Sequence, residues 1–410
     1  MARKPLSTPR PGDVCIERRP TDGAREPMPG PQPPPTRLDE SPMAVDSIPA
    51  EDLRVTFQVD ETCDHVRWDA FVSAHPAGNL MQSFGWGEFQ RGRGWEPRYA
   101  TLADETGTKG AALILSRRIP PMSAPVFYAP RGPVLDFTDV AAVRAFFAGL
   151  EDYVRKERGI FLRCDPYWPE GAFPEAGSLP ARVRRIPRDW SYWNLPRFVF
   201  WLDLSGDEDD VMSRMTSRCR NDVRRGYKNE VDFCFGGEAD LPEFHELMGL
   251  TARHKEIAYR GLDYYRDLMG VVSRSAQVKL FMGRKDGAAI TTGMSAVYGD
   301  KAWLLYAASA PSSYKLRANR TLQWEMIKWA HGEGCRRYDF RGTATNDPPS
   351  EDDPGYGVYQ FKKSFGPEFT RLAGYYDLVN RPALHRLLRA AEEYGLPAAY
   401  RVKTWLQERR

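Results

Sequence analysis

Hydrophobic and polar positions along this chain become regularly ordered only from Leu53 onward. Val55-Thr56-Phe57-Gln58-Val59 alternates with the period of two that predicts a strand, and Val66 to Val72 then changes to helical spacing. A second helix is predicted over Gly85–Arg91 and a strand over Arg98–Ala103. A Thr106-Gly107 turn then leads to a strand over Ala111–Ser116. Val143, Phe146, Phe147, Leu150 and Val154 share one face of a helix over Ala141–Arg158, with Gly159 as its stop signal. Helix, strand, turn and strand in this order predict an α/β fold.

The pattern is then repeated. Gly110-Ala111-Ala112 returns as Gly287-Ala288-Ala289, Tyr128-Ala129-Pro130 as Tyr306-Ala307-Ala308, and Phe161-Leu162-Arg163 as Tyr338-Asp339-Phe340, at shifts of 177, 178 and 177. The helix over Ala141–Arg158 is answered by one over Leu322–Gly334. A near-constant shift between matching elements predicts two copies of one domain. The length of 410 residues agrees, since a single core of that size normally divides. The expected organisation is a first domain over 51–200, a second over 201–380 and a C-terminal helical segment over 381–410. Residues 1–50 carry 12 of the 33 prolines, with seven basic and seven acidic residues, and are expected to form a disordered tail. The tail lacks the continuous apolar stretch of a secretion signal.

Composition narrows the class. The chain is 42% hydrophobic, yet no run reaches the roughly 18 apolar residues of a membrane helix. A net charge of +3 is too small to mark a nucleic-acid-binding protein by its overall field. The 6 cysteines contain no C-x-x-C pair, and the 6 histidines have no ligand-like spacing. A cytoplasmic protein with no metal and no cofactor is expected. The sequence sets no oligomeric state.

Local charge is more informative. Between the copies, Asp209 to Asn229 reads as one helix in which Arg214, Arg218, Arg220, Arg224, Arg225 and Lys228 occur with a single acid, Asp222, from Val211 onward. Met215, Cys219, Val223 and Tyr227 form its apolar arc, leaving the rest of the circumference almost uniformly cationic. Like charges three or four residues apart oppose a helix by a few tenths of a kcal/mol each. Two readings relieve the repulsion: acids on neighbouring elements, or contact with phosphate or nucleic acid.

Four stretches then carry a resemblance: Gln82-Ser83-Phe84-Gly85-Trp86-Gly87, Tyr128-Ala129-Pro130-Arg131-Gly132-Pro133-Val134, Leu322-Gln323-Trp324-Glu325-Met326-Ile327 and Tyr356-Gly357-Val358-Tyr359-Gln360-Phe361-Lys362-Lys363-Ser364-Phe365-Gly366. In this order, from about Leu53 to Val379, they resemble the FemABX family of tRNA-dependent aminoacyltransferases, in its compact form without a long helical arm. The resemblance implies two tandem GNAT (acyl-CoA N-acyltransferase)-like domains with mixed sheets flanked by helices. It also implies transfer of an amino acid from aminoacyl-tRNA to an amine in the stem peptide of a peptidoglycan precursor, UDP-linked or lipid-linked. A lipid-linked acceptor would bring a peripheral contact with the membrane, and the basic helix would face tRNA or a diphosphate.

Amide formation from an aminoacyl ester needs an unprotonated amine held at the carbonyl, stabilisation of the oxyanion and a route for the proton. No Ser-His-Asp or Cys-His arrangement is evident, so binding groups are expected to carry the reaction. The resemblance points to Lys362 as the catalytic cation; if the segment is a strand, the adjacent Lys363 faces the other way. Lys362 pointing into solvent is the bland alternative. The family commonly has a second glycine after Phe-Gly, where this chain has Pro367. Arg260 and Tyr264, four apart and on one face if helical, resemble the family's acceptor-binding pair, the alternative being an exposed arginine beside a packed aromatic. Tyr306, at the end of a strand over Ala302–Tyr306, is a third candidate. Family members often place a lysine shortly after the residue matching Trp86; here Arg91 and Arg93 stand instead. Asp339, Glu325 and Asp104 are candidate bases that spacing alone does not rank, and Asp339 is as easily a structural partner for Arg341.

A CoA-dependent acyltransferase is the main competitor within the fold. It needs a glycine-rich loop opening a helix to cradle a pyrophosphate. The matching loop, Ala310 to Asn319, has no glycine, and Pro130-Arg131-Gly132-Pro133 in the first copy loses donors to proline. Transfer from aminoacyl-tRNA to a peptide antibiotic or another small amine is the nearer alternative. The second copy is expected to carry most of the chemistry, with the first helping to hold the acceptor.

Overall fold

The structure is a computed structural model that describes residues 55–119, 123–173, 179–186, 195–255, 259–342, 349–353 and 355–395. The tail expected over 1–50 and the end of the C-terminal segment, 396–410, lie outside these residues.

The first half runs β1 (Thr56–Asp60), α1 (His65–Ala74), α2 (Phe84–Arg91), β2 (Glu96–Asp104), β3 (Gly107–Arg118), β4 (Pro125–Ala129), β5 (Val134–Leu135), α3 (Val140–Lys156), β6 (Phe161–Cys164) and β7 (Val183–Ile186). The second begins with β8 (Phe198–Asp203), α4 (Glu208–Ser213), α5 (Ser217–Lys228), β9 (Asp232–Gly236), α6 (Leu241–Lys255) and α7 (Leu262–Val272). It continues through β10 (Gln277–Lys285), β11 (Ala288–Tyr298), β12 (Lys301–Ser309), α8 (Pro311–Leu316), α9 (Ala318–Gly332) and β13 (Arg337–Gly342). It closes with α10 (Tyr356–Lys363), β14 (Glu368–Arg371), β15 (Tyr375–Val379) and α11 (Pro382–Ala390).

The repeat is structural. β2, β3 and β4 pair antiparallel in succession and β4 then pairs parallel with β6; β10, β11, β12 and β13 do the same. The paired words therefore fall at matching places: the start of each second strand, the end of each third, and the parallel strand after the crossover helix. Each sheet is mixed and flanked by helices, the tandem GNAT-like arrangement expected from the sequence. The sheet orders are β1-β2-β3-β4-β6-β15-β7, with β5 beside β3, and β14-β8-β13-β12-β11-β10-β9. The halves exchange strands at their ends. β8, directly after the first half, enters the second sheet, while β15 returns to lie between β6 and β7.

One hydrophobic core joins the halves. Trp68, Phe89, Tyr99 and Leu113 from the first pack with Tyr265, Leu280, Met294 and Trp303 from the second. Asp69 pins the contact: its carboxylate accepts from the Phe84 backbone N–H at 3.0 Å, the Ser275 hydroxyl at 2.5 Å and the Tyr298 hydroxyl at 2.7 Å. Lys301 adds bonds from Nζ to the carbonyls of Ser73 and His75. Large apolar side chains in such a core are worth about 1.5–3 kcal/mol each, so the two halves are held together.

Four sequence-based expectations change. The basic stretch is two helices, because the Asp207–Asp210 capping box starts α4 and Thr216 opens α5 with a new cap on Cys219 N–H. Arg260 precedes α7, whose N-cap is Gly261, so it is not on a helical face. The Lys362 segment is helix α10, not a strand. α3 ends at Lys156, and Arg158, at φ 55°, takes the left-handed position expected of Gly159.

Candidate functional site

Although Arg260 lies outside the helix, its guanidinium sits 5.3 Å from the centre of the Tyr264 ring. Arg93, just beyond the end of α2 in the first half, lies 4.8 Å from the same ring and 3.6 Å from that of Phe89. It is held there by a 2.8 Å bond to the Phe89 carbonyl and a 3.2 Å pair with Asp267. The Tyr306 hydroxyl on β12 donates to the Tyr264 hydroxyl at 3.1 Å. Burial pushes the Tyr306 hydroxyl well above its ordinary pKa, so it stays a neutral donor. Arg93, Arg260, Tyr264 and Tyr306 thus form one cluster drawn from both halves. Arg260 is exposed and no carboxylate among the described residues pairs with it. Arg91 stands apart, paired at 3.0 Å with Glu88 on its own helix.

Lys362 is buried near the end of α10. Its Nζ donates to the carbonyls of Phe340 at 2.8 Å, Arg341 at 3.2 Å and Gly342 at 2.8 Å, matching its three donors to three acceptors. Lys363 is exposed beside Tyr359. Of the candidate bases, Asp339 is buried and accepts from Arg341 N–H at 2.6 Å and the Tyr167 hydroxyl at 2.8 Å. Glu325 is buried against Lys328 and Tyr227. Asp104 is in a surface turn with Thr106.

The six basic residues divide. Arg214 and Arg220 bond the carbonyls of Ser205, Ser213 and Met215 around the helix break. Arg218, Arg224, Arg225 and Lys228 are exposed, with no ion-pair partner among the described residues. Asp209 on α4 lines the same surface pocket as Arg224 without forming an ion pair with it. Asp222 faces inward to Arg317 and Arg320 at 3.3 and 3.2 Å. Gly226 lets α5 lie against α9: a Cβ there would stand 1.9 Å from the Thr321 hydroxyl. α5 also reaches the Lys362 segment. Ser364 accepts Thr216 N–H on its carbonyl at 2.9 Å and the Arg320 guanidinium on its hydroxyl at 2.6 Å.

Apart from Asp339, the sequence did not single out the residues around a small cavity between the halves. Asn79, Met81 and Arg131 line it from one side, Val199, Trp303, Asp339 and Arg341 from the other. Arg131 is buried. It meets Asp165 through its backbone N–H at 2.8 Å and through Nη1 at 3.4 Å. Burial outweighs that partner and pushes the Asp165 carboxyl up to about 6. Arg131 lay within a stretch used for the resemblance, but its pairing with Asp165 is 34 residues away and leaves no local pattern.

Comparison with known proteins follows the same lines. The FemAB family model matches residues 64–181, 188–282 and 274–393. The chain is similar to the lipid II:glycine glycyltransferase of Staphylococcus haemolyticus (strain JCSC1435), 23% identical over 389 residues, covering 78% of this chain and 92% of the relative. The enzyme of the same name from Staphylococcus aureus (strain USA300) is 21% identical over 391 residues, with the same coverage. Among solved structures, the FemX crystal structure superposes with a TM-score of 0.74 at 20% identity, over 81% of this chain and 99% of that one. No helix among the described residues is long and apolar enough to cross a membrane.

Proposed function

The chain belongs to the FemAB family, and from that premise we propose that it is an aminoacyltransferase that moves an amino acid from aminoacyl-tRNA to an amine of a peptidoglycan precursor's stem peptide. The observation that carries this reading is the cluster of Arg93, Arg260, Tyr264 and Tyr306, which the two halves build together. Two guanidiniums beside one aromatic ring suit a diphosphate, the anion common to UDP-linked and lipid-linked precursors. Relatives named for lipid II as acceptor support the same class of substrate.

In the reaction, the acceptor nitrogen bonds to the aminoacyl carbonyl carbon and the ester C–O bond breaks. The terminal ribose hydroxyl of the tRNA leaves, taking up the equivalent of the proton lost by the amine. The four exposed cations of α5 offer a track for the tRNA backbone, and α5 adjoins the Lys362 segment through Ser364. Lys362 supports the reaction by fixing the end of β13 beside the cleft. At the start of α9, where an acyl-CoA enzyme would hold its pyrophosphate, the chain's own Asp222 already meets Arg317 and Arg320. This favours the tRNA donor over CoA.

The test is transfer by the purified full chain supplied with a mixture of charged tRNAs and either UDP-linked or lipid-linked precursor, with products read by mass. One added aminoacyl residue, dependent on charged tRNA, is expected. Product from acetyl-CoA and none from any charged tRNA would overturn the reading.

A further inference from the structure

Arg341 is a half-buried arginine at the end of β13 whose guanidinium makes one long bond, from Nη1 to the Leu305 carbonyl at 3.3 Å. No carboxylate among the described residues pairs with it. Asp339, the nearest acid in the chain, is already occupied: Oδ1 accepts Arg341's own backbone N–H, and Oδ2 takes the Tyr167 hydroxyl and, at 3.4 Å, the Trp201 indole N–H. Across the cavity, Arg131 is committed to Asp165 and to the Pro196 carbonyl at 2.6 Å. Arg341 therefore brings unused guanidinium donors to a wall where Arg131 is paired with Asp165 and where the Asp339 carboxylate accepts from neutral donors alone.

Trp303 lies on the same wall. Trp303 is 4% exposed and its indole N–H has no acceptor among the described residues. Leaving a buried N–H unpaired is costly, so such groups mark places where something else supplies the acceptor. Arg341 occupies the left-handed region at φ 58°, unusual for a residue with a side chain. Asp339 holds its N–H and Lys362 holds its carbonyl.

The space measures about 20 Å³, enough for the tip of a small group and far too little for a whole residue. Donors on its wall, including a forked guanidinium, select an oxygen anion, and the shape selects the end of a chain. We propose that this cavity is a subsite for a carboxylate of the acceptor peptide, with Arg341 as its cation. The inference rests on the stem-peptide reading above and deepens it: the Arg93–Arg260 cluster takes the diphosphate end and Arg341 takes the peptide end.

Binding of a free stem pentapeptide is measured by calorimetry on the full chain, beside two analogues, one with its C-terminal carboxylate converted to carboxamide and one with its internal carboxylate so converted. The parent protein is expected to lose about tenfold or more in affinity for one of the analogues, which identifies the carboxylate bound. Arg341→Gln should bind the peptide and that analogue equally. In the transfer assay, Arg341→Gln should raise KM for the acceptor more than it lowers kcat. Equal binding of all three peptides by the parent protein overturns the subsite, whether or not transfer occurs. Absence of transfer with a carboxylate preference intact overturns the donor reading and leaves the subsite standing.

Discussion

Lys362 donates from Nζ to the Gly342 carbonyl at 2.8 Å, and the same ammonium holds the two preceding carbonyls of β13. Lys362→Met should leave three acceptors facing an apolar side chain. At about 1–3 kcal/mol for each buried group left unsatisfied, a loss of about 3 kcal/mol or more is expected in denaturant unfolding, together with loss of transfer. A variant as stable as its parent but inactive would instead give the ammonium a direct part in the reaction.

Arg260→Ala removes an exposed cation and should change stability by less than about 0.5 kcal/mol. Its effect is expected on the acceptor: KM for a UDP-linked precursor rising about 10- to 100-fold, the range of one charge-assisted bond. Arg93→Ala should do the same and also cost about 1 kcal/mol of stability, because it stacks on Phe89 and pairs with Asp267. Arg91→Ala, outside the cluster, should alter neither, and steady-state kinetics on the three variants would separate them.

Removing exposed cations of α5 should weaken tRNA and spare the precursor. Each of Arg218, Arg224, Arg225 and Lys228 that meets a phosphate should, on change to alanine, flatten the plot of log affinity against log salt by about 0.7–0.9. Arg214→Ala should leave that slope unchanged and lower stability, since its bonds go to Ser205 and Asp203. Filter binding across a salt series reads both results.

Asp165 sets a pH dependence. Its carboxyl is raised by burial from an ordinary 3.8 to about 6, so the folded chain holds this proton more tightly than the unfolded one. The resulting stability is complete below the ordinary value and is lost as pH rises through about 6. The difference is worth at most about 3 kcal/mol. Asp165→Asn keeps an acceptor for Arg131 and does not titrate. The stability of the parent relative to this variant should therefore fall between about pH 4 and pH 7, as chemical unfolding at each pH would measure.

The two-copy plan was legible because it rests on local periodicity: the same apolar spacing recurs wherever β3 and β11, or α3 and α9, must bury one face. The cluster of Arg260, Tyr264 and Tyr306 was also legible through the resemblance, although Gly261 and not a helical repeat brings Arg260 to Tyr264. What eluded the sequence depends on residues far apart. α10 is only 8 residues long and rich in aromatics, so its spacing does not distinguish helix from strand. The break at Arg214–Thr216 comes from a cap whose acceptors lie outside the apolar pattern. Arg341 was legible only as a structural partner for Asp339, because the occupation of Asp339 from Tyr167, 172 residues away, leaves no local pattern.

The place of β15 between β6 and β7 bears on how this chain is made. A growing chain usually completes its N-terminal unit first. Here the first sheet lacks an interior strand until Tyr375–Val379 has been synthesised, by which time every strand of the second sheet already exists. The half translated first is the half finished last, and a chain cut short before Tyr375 would lose the integrity of its beginning, not merely its end.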